Sequence, residues 1–407
     1  MMERIHFILT QDLSSPSGQG RYLPWAKELV RLGYKVRVSA THSNYTTLKT
    51  KIIYSDGVEI EYVGQMHVLK KGAIKSYFPL LKLFIIVIYS SIALSIASLK
   101  FPADIVIIGK PHPMNGIAGI IAAWRWKSFF VLDIDDDEEY SGNFRYRWQK
   151  KLIGWLQKIL PFHANLVTTN TTYMKEKLEK FGIPPTKIYY LPNGIELHKP
   201  ELPSREKINQ LREELGLDKK KVILYVGSIS IINHPLPLLI QAFEKIRFLN
   251  PETVLIIVGG GEDFEMVKAL IHNKNLDQDI RLLGKVPPED VPKYYAIADV
   301  SVDPVYDNEV ARGRCPIKLF ESLKYGTPFV TGDVGDRRLL AGIPPAYKIC
   351  TPGDPESLAD CINEILKNDY LSSFLVNEGK RRVKEYEWRY LVQKFCEETL
   401  PTYKKIS

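Results

Sequence analysis

Residues 302–336, VDPVYDNEVARGRCPIKLFESLKYGTPFVTGDVGD, gather the side chains best suited to hold a charged, hydroxyl-rich ligand. Pro316 suits the first position of a helix and Gly326 the position just past its end, so PIKLFESLKY is predicted to be a capped helix. Lys318 and Glu321 are three apart and share one of its faces. A lysine in the first turn stands against the helix dipole, and a local rule broken in this way points to a ligand. An anion such as a diphosphate at the helix start would meet backbone amides, the dipole and Lys318 together. Glu321, one turn deeper, would accept hydrogen bonds from ribose hydroxyls. A solvated Lys–Glu surface pair leaves the same pattern.

Two further stretches carry chemistry. TQDLSSPSGQG follows the first apolar run and holds Gly18 and Gly20, which would let backbone amides approach a phosphate or a sugar. A plain tight turn explains it nearly as well. Position 23 is Leu, so G-x-G-x-x-G is not completed and a nicotinamide enzyme is disfavoured. DIDDDEEY, residues 133–140, contains D-x-D, whose carboxylates would suit magnesium. The four cysteines (Cys315, Cys350, Cys361, Cys396) form no C-x-x-C pair, so neither a metal site nor a disulfide framework is expected and a reducing compartment fits.

The elements that must position these residues repeat twice. RIHFIL, KVRVSA, VEIEYV, DIVIIG, FFVLDI and ANLVTT read as strands in the first half, with helices near 23–33, 78–99, 116–125, 144–160 and 171–181. KVILYVG, TVLIIVG, DIRLLG, VSVDP and PFVTG read as strands in the second, with helices near 235–249, 262–273, 288–297, 316–325 and 355–367. Such alternation predicts parallel sheets covered on both faces, each binding ligand beyond the carboxyl ends of its strands. The expected division is 1–196 and 197–383, with 384–407 a closing helix that crosses back to the first domain. PNGIELHKPELPSREK breaks the apolar periodicity at the boundary and reads as the linker.

Charge is uneven: residues 1–195 carry 25 Lys and Arg against 15 Asp and Glu, although the whole chain is only +8. The excess implies an anionic partner for the first half or a generally basic, solvated surface. No recognition helix or stacking motif supports a nucleic-acid partner. Leu83–Leu99 is an uncharged run of 17 residues, just short of a membrane span. A helix buried against a sheet is the preferred reading, ahead of peripheral membrane contact and of a true span. The preceding LKKGAIKSYFPLLK mixes lysines with Tyr77, Phe78 and leucines, as a segment lying on anionic lipid does. The N-terminus enters a strand almost at once, so no signal peptide is expected.

ILYVGSIS, LIIVGGGED, RLLGKVPPEDVPKYYAIADVSVDP and the helix with Lys318 and Glu321, followed by GTPFVTGDVGD, resemble in order and spacing the donor domain of the family 4 glycosyltransferases. LPNGIE at 191–196 resembles the family's stretch before the linker, and the Gly-bearing loop and KPHPMNG match its first domain more loosely. The resemblance covers nearly the whole chain and implies an α/β fold of two Rossmann-like domains facing across a cleft, the GT-B fold. It implies a retaining transferase that moves a sugar from a nucleotide-sugar donor to an acceptor, with no cofactor and no metal. The acidic run is then expected to be an acceptor-facing or structural loop rather than a metal site. A glycan or lipid-linked acceptor at the inner face of a membrane, with a cytoplasmic chain, fits the basic first half.

By the same resemblance Glu321 is the ribose-binding glutamate, His112 stands beside the donor sugar, and Gly227 belongs to the donor-binding loops. The backbone around Gly284, Lys285 and Val286 holds the nucleobase. Two departures stand out. Gly313 occupies the place of the family's second glutamate, with Glu309 nearby but off register. Gly227 is followed by Ser228-Ile229-Ser230, with Asn233 and His234, where the family usually has an Arg and a Lys for the diphosphate. Arg312 and Arg314, beside Lys318, are the candidates to replace them, since arginine suits bidentate phosphate contact. A lipid-phosphate sugar donor, a sugar-nucleotide epimerase and a scaffold without turnover are the rival readings.

Overall fold

Short β-branched runs separated by helices form parallel sheets because each crossover helix covers a sheet face. The chain does this twice in its computed structural model, which describes residues 3–71, 74–142, 144, 146–198 and 201–403. The first unit comprises Met1–Gly194, Gly313–Cys315 and Trp388–Ser407, and the second Ile195–Arg312 and Pro316–Glu387.

The first unit runs β1 (Arg4–Leu9), α1 (Leu23–Arg31), β2 (Lys35–His42), β3 (Ile52–Ser55), β4 (Val58–Gln65), β5 (Val68–Lys71), β6 (Ile74–Tyr77), α2 (Leu80–Lys100) and β7 (Ile105–Gly109). It continues through α3 (Pro113–Trp126), β8 (Phe129–Ile134), α4 (Glu138–Ser141), α5 (Arg147–His163), β9 (Leu166–Thr169), α6 (Thr172–Lys180) and β10 (Ile188–Tyr190). Its sheet has the order β10-β9-β8-β7-β1-β2-β4-β3, parallel except for β3 against β4. One sheet face is covered by α2, α3, α5 and α6, through Leu94, Ala118, Leu160 and Leu178.

The second unit runs α7 (Arg205–Glu214), β11 (Lys221–Val226), α8 (Leu236–Leu249), β12 (Thr253–Val258), α9 (Phe264–Asn273), β13 (Ile280–Gly284), α10 (Val291–Ile297) and β14 (Val300–Asp303). After these come α11 (Glu309–Arg312), α12 (Ile317–Tyr325), β15 (Phe329–Gly332), α13 (Arg337–Ala341), β16 (Lys348–Cys350), α14 (Pro355–Lys367) and α15 (Asp369–Arg382). Its six strands are all parallel, in the order β13-β12-β11-β14-β15-β16. The last helix, α16 (Trp388–Tyr403), packs into the first unit. There Trp388 and Phe395 join Trp25 and Phe7 in the core on the face opposite α2, and Trp388 Nε1 donates to the Gly20 carbonyl at 3.2 Å.

Several expectations change. The stretch read as a linker runs at its end into α7, whose Ser204 hydroxyl caps its first turn. It is a charged helix, REKINQLREE, with Leu211 as its buried residue, so apolar periodicity gave no signal. Pro316 precedes the helix as its N-cap instead of opening it, while Gly326 takes the left-handed C-cap. Val68–Lys71 and Ile74–Tyr77 form an antiparallel hairpin where a lipid-lying segment was expected. Residues 72 and 73 and the side chains of Lys71 and Lys75 lie outside the described residues. Lys199 and Pro200 of the expected linker do so too.

The largest correction concerns α2. It is not a helix buried on most sides: its buried residues are Ile86, Ser90, Leu94, Ala97 and Ser98, a single narrow stripe. That stripe mixes Ile86 and Leu94 with serines and an alanine, and the Ser90 hydroxyl donates to the Gln65 carbonyl at 2.9 Å. Most of the helix's large apolar side chains face outward.

His6 lies on β1, fully buried, with Nε2 2.8 Å from the Ser39 hydroxyl and its ring edge-on to Phe101. Burial, with the nearby Arg37 charge, lowers its pKa to about 3. The unfolded chain therefore takes up a proton below pH of about 6.5 that the folded chain refuses, and stability falls as pH drops through that window. Unfolding by urea at a series of pH values should show this loss, and His6→Gln should flatten it between pH of about 6 and 4 by up to about 1.4 kcal/mol per unit. An unchanged slope would show that His6 does not carry it.

Candidate functional site

In the second unit the strand order reverses between β11 and β14, and ligands of open parallel sheets bind at the carboxyl ends of strands at such a reversal. Asp303, the last residue of β14, is fully buried there. Its Oδ1 lies 3.0 Å from Lys318 Nζ, and its Oδ2 accepts from Arg337 at 3.1 Å. Lys318 Nζ also stands 3.4 Å from His234 Nδ1 and 4.2 Å above the centre of the Tyr225 ring. Lys318 is thus neither a free first-turn cation nor half of a surface pair with Glu321. It is one of two cations on a single buried carboxylate, beside the start of α12.

Glu321, one turn further along α12, accepts a hydrogen bond from the buried Tyr295 hydroxyl at 3.0 Å. Tyr295 stacks on Tyr325 with ring centres 5.3 Å apart. Burial raises the Glu321 pKa, against the Tyr295 hydrogen bond and the charges of Lys318 and Lys324. Its carboxylate is therefore positioned and poorly solvated, the state in which further hydroxyl donors are most valuable.

The loops after β11, β12 and β13 close on this cluster. A Cβ on Gly227 would lie 3.0 Å from Lys318 Nζ, and one on Gly259 would lie 1.7 Å from the Gly227 carbonyl oxygen, so neither position admits a side chain without movement. The Gly259 amide donates to the Gly284 carbonyl at 2.8 Å. Val286 packs in the same apolar cluster as Tyr295 and Tyr325, while Lys285 is exposed. Gly227, Gly284, Lys285, Val286, Lys318 and Glu321 therefore belong to one end of one sheet.

The two arginines are separated. Arg312 is exposed and forms a bidentate pair with Asp307, at 2.6 and 2.9 Å. Arg314 falls with Gly313 and Cys315 in the first unit, where its charge acts on Asp136. Lys318 lies with Arg312 in the second unit and Arg314 in the first.

In the first unit the strand order reverses between β1 and β7. His112 is the N-cap of α3, with Nδ1 2.9 Å from the Thr10 hydroxyl and Nε2 3.2 Å from Glu138. Lys110, held at a left-handed φ of 69°, places its ammonium 3.3 Å from Asp135, 3.3 Å from Asp136 and in contact with Glu138. The carboxylates of Asp135, Asp136 and Glu138 are close enough to share a metal ion. An ammonium of the chain's own ion-pairs with all three and hydrogen-bonds to Asp136 and Glu138. Burial raises Asp135 and Asp136, while for Glu138 the Lys110 and His112 charges outweigh burial and hold it low.

The Gly-bearing loop is not open. Gly18–Tyr22 forms a π-helical turn running directly into α1, and a Cβ on Gly18 would lie 2.5 Å from the Asp12 carbonyl oxygen. The turn positions Arg21, which the sequence reading missed. Buried like its partner, Arg21 grips both carboxylate oxygens of Asp133 and also donates to the Leu191 carbonyl and to Asn193 Oδ1 at 3.1 Å. Asp303, Arg337, Tyr295, Lys110 and Glu138 were likewise missed as site residues. Their signals were slight: Asp303 ends a strand, and Lys110 opens KPHPMNG.

Residues 207–382 match the family described as glycosyl transferases group 1, and residues 17–194 match the glycosyl transferase 4-like domain. An uncharacterised glycosyltransferase of Methanocaldococcus jannaschii is 28% identical over 246 residues, 59% of this chain and 60% of that protein. A GDP-mannose-dependent alpha-(1-6)-phosphatidylinositol monomannoside mannosyltransferase of Mycolicibacterium smegmatis is 25% identical over 174 residues, 42% of this chain and 45% of that protein. The chain thus spans about half the length of the curated relatives it matches. The crystal structure of HepE from Anabaena in complex with UDP-glucose superposes with a TM-score of 0.72 at 19% identity, covering 98% of this chain and 99% of that one. That similarity shows the GT-B fold.

Proposed function

Because the chain belongs to the group 1 glycosyl transferases, with a glycosyl transferase 4-like first half, we propose that it transfers a sugar, with retention, from a nucleotide-sugar donor to a lipid-linked glycan acceptor. The observation that carries the donor side is the second-unit cluster. Glu321 is aligned by Tyr295, beside a lysine and an arginine that share one buried carboxylate. The paired cations suit a diphosphate, and the aligned carboxylate suits a ribose diol. We further propose that Arg314 meets the donor phosphates and His112 the donor sugar. The UDP-glucose bound by HepE and the GDP-mannose named for the mycobacterial relative support this donor class. The phosphatidylinositol monomannoside named for that relative supports the acceptor class, and we place the chain at the cytoplasmic face of a membrane.

In the proposed reaction the bond from sugar C1 to the donor phosphate breaks and the bond from C1 to the acceptor oxygen forms. The acceptor proton passes to a donor phosphate oxygen, so the protein supplies orientation and charge instead of a nucleophile. No resident metal takes part, since Lys110 already compensates the acidic cluster. Activity is expected to persist in EDTA. Loss in EDTA with recovery on adding magnesium would assign Asp135, Asp136 and Glu138 to a metal.

Thermal shift against UDP, GDP, ADP, CMP and their sugar conjugates tests the reading. One nucleotide class should stabilise the wild type by a few degrees and leave Glu321→Ala unmoved, with a weakened response in Arg314→Ala. No response to any of them would overturn a nucleotide-sugar donor, and full binding by Arg314→Ala would remove Arg314 from the site. Proton NMR of the product then reads the anomeric configuration.

A further inference from the structure

The outward face of α2 is built opposite to that of a soluble helix. Leu81 is 75% exposed, and Phe84, Ile85, Ile88, Tyr89 and Ile92 are each at least 45% exposed, while the buried stripe holds only Ile86 and Leu94 beside two serines and an alanine. The helices beside it in the layer also expose large apolar side chains. Trp124 at the end of α3 is 80% exposed, and α5 presents Trp148, Leu152 and Trp155. Between α2 and α3 runs an apolar trough of about 490 Å³ lined by Ile88, Ile92, Ile96, Ile117 and Ile121. A contiguous apolar face of this size is not left to water in a stable soluble surface.

Its charge selects the partner. Across α2, α3 and α5 there are seven Lys and Arg and no Asp or Glu. Lys82 and Lys100 mark the two ends of α2, Arg125 lies between Trp124 and Trp126, and Arg147, Lys150, Lys151 and Lys158 are spread along α5. A second copy of this face would meet like charge with like charge, whereas anionic lipid headgroups complement it. Large apolar side chains flanked by cations, with tryptophans at the border, are the composition of a helix lying in a bilayer interface.

We propose that the α2–α3–α5 face of the first unit docks on the surface of an anionic lipid bilayer, with α2 lying flat and its outward side chains among the acyl chains. Although α2 has 21 residues and an 18-residue stretch of mean hydropathy 2.3, it does not span. Its inner stripe is bonded into the unit, through Ser90 to Gln65, and the Trp126 indole donates to the Ser98 carbonyl at 3.1 Å. A span would withdraw that stripe from the sheet. The docking gives the lipid-linked acceptor of the proposed function its place, but it stands on this face alone.

Flotation of the full chain with phosphatidylcholine vesicles, with and without phosphatidylglycerol, tests it. Wild type should float with the anionic vesicles and be partly released by salt. The double variant Ile88→Glu, Ile92→Glu should bind at least tenfold more weakly with an unchanged melting temperature, since both side chains are already in solvent. Independently of any variant, brominated lipids should quench wild-type tryptophan fluorescence. Wild type left in solution, or floating of the variant equal to wild type, would overturn the proposal. So would a wild-type dimer that the double variant converts to monomer without lipid, because a second copy would then cover the face. Nucleotide binding without vesicle binding overturns the docking alone, and vesicle binding without nucleotide binding overturns the transfer reading alone.

Discussion

Glu321→Ala is expected to weaken nucleotide binding roughly 10- to 100-fold, the equivalent of about 1.5–3 kcal/mol for losing hydrogen bonds to a charged acceptor. The effect is large because Tyr295 fixes the carboxylate and the surrounding apolar cluster keeps water from competing. Stability should hardly change, with a melting temperature within about 3 °C of wild type, since the substitution also removes the cost of burying a carboxylate. Glu321→Gln should fall between, because its amide accepts from hydroxyls without a charge. Affinity in the wild type should decline in acid at a higher pH than an ordinary glutamate would set, given the raised pKa. Isothermal titration with the nucleotide chosen by the thermal-shift panel reads all three. Unchanged affinity in Glu321→Ala would remove the residue from the donor site.

Arg21→Ala is expected to have the largest effect on stability, about 3–5 kcal/mol, or roughly 10 °C in melting temperature. Its guanidinium is 1% exposed and Asp133 is 0% exposed. Truncation would leave a carboxylate in the core with the Thr168 hydroxyl, at 2.6 Å, in place of a bidentate cation. Arg21→Lys should recover little, since an ammonium cannot bridge both oxygens and also reach Leu191 and Asn193. The double variant Arg21→Ala, Asp133→Ala should be less destabilised than the two single losses together, because the orphaned charge is gone. A single-variant shift below about 2 °C would show that the pair contributes little to the unit.

The second half was the more legible because its signals are local. Strand, glycine turn and capped helix lie within a few residues of one another, and α12 keeps its Lys318–Glu321 face and its Gly326 cap as read. Its donor-like residues follow one another around a single sheet, so their order in sequence maps onto neighbouring strand ends. Both halves were less legible where long-range contacts decide. Arg21 meets Asp133 across 112 positions in the first, and Asp303 meets Arg337 across 34 in the second. No short window shows that either carboxylate is buried or that either cation faces it. The acidic run looked like a metal site or a solvated loop until Lys110, 25 or more positions earlier, was seen among its carboxylates.

By itself the sequence determined two parallel α/β units, their covering helices, and the two residues of α12 on which donor recognition is proposed to turn. Periodicity and capping are properties of neighbours along the chain, and they survive into the fold. Only the tertiary structure decided what each charge is set against. It gave Lys318 to Asp303, gave Arg312 to Asp307, and placed Arg314 in the other unit. It also decided which side of α2 faces water: an apolar run reads alike whether its large side chains or its serines pack inward. The buried side takes the serines together with Ile86 and Leu94, because the Gln65 carbonyl needs a donor and α3 passes close by. That packing turns most of the large apolar side chains outward.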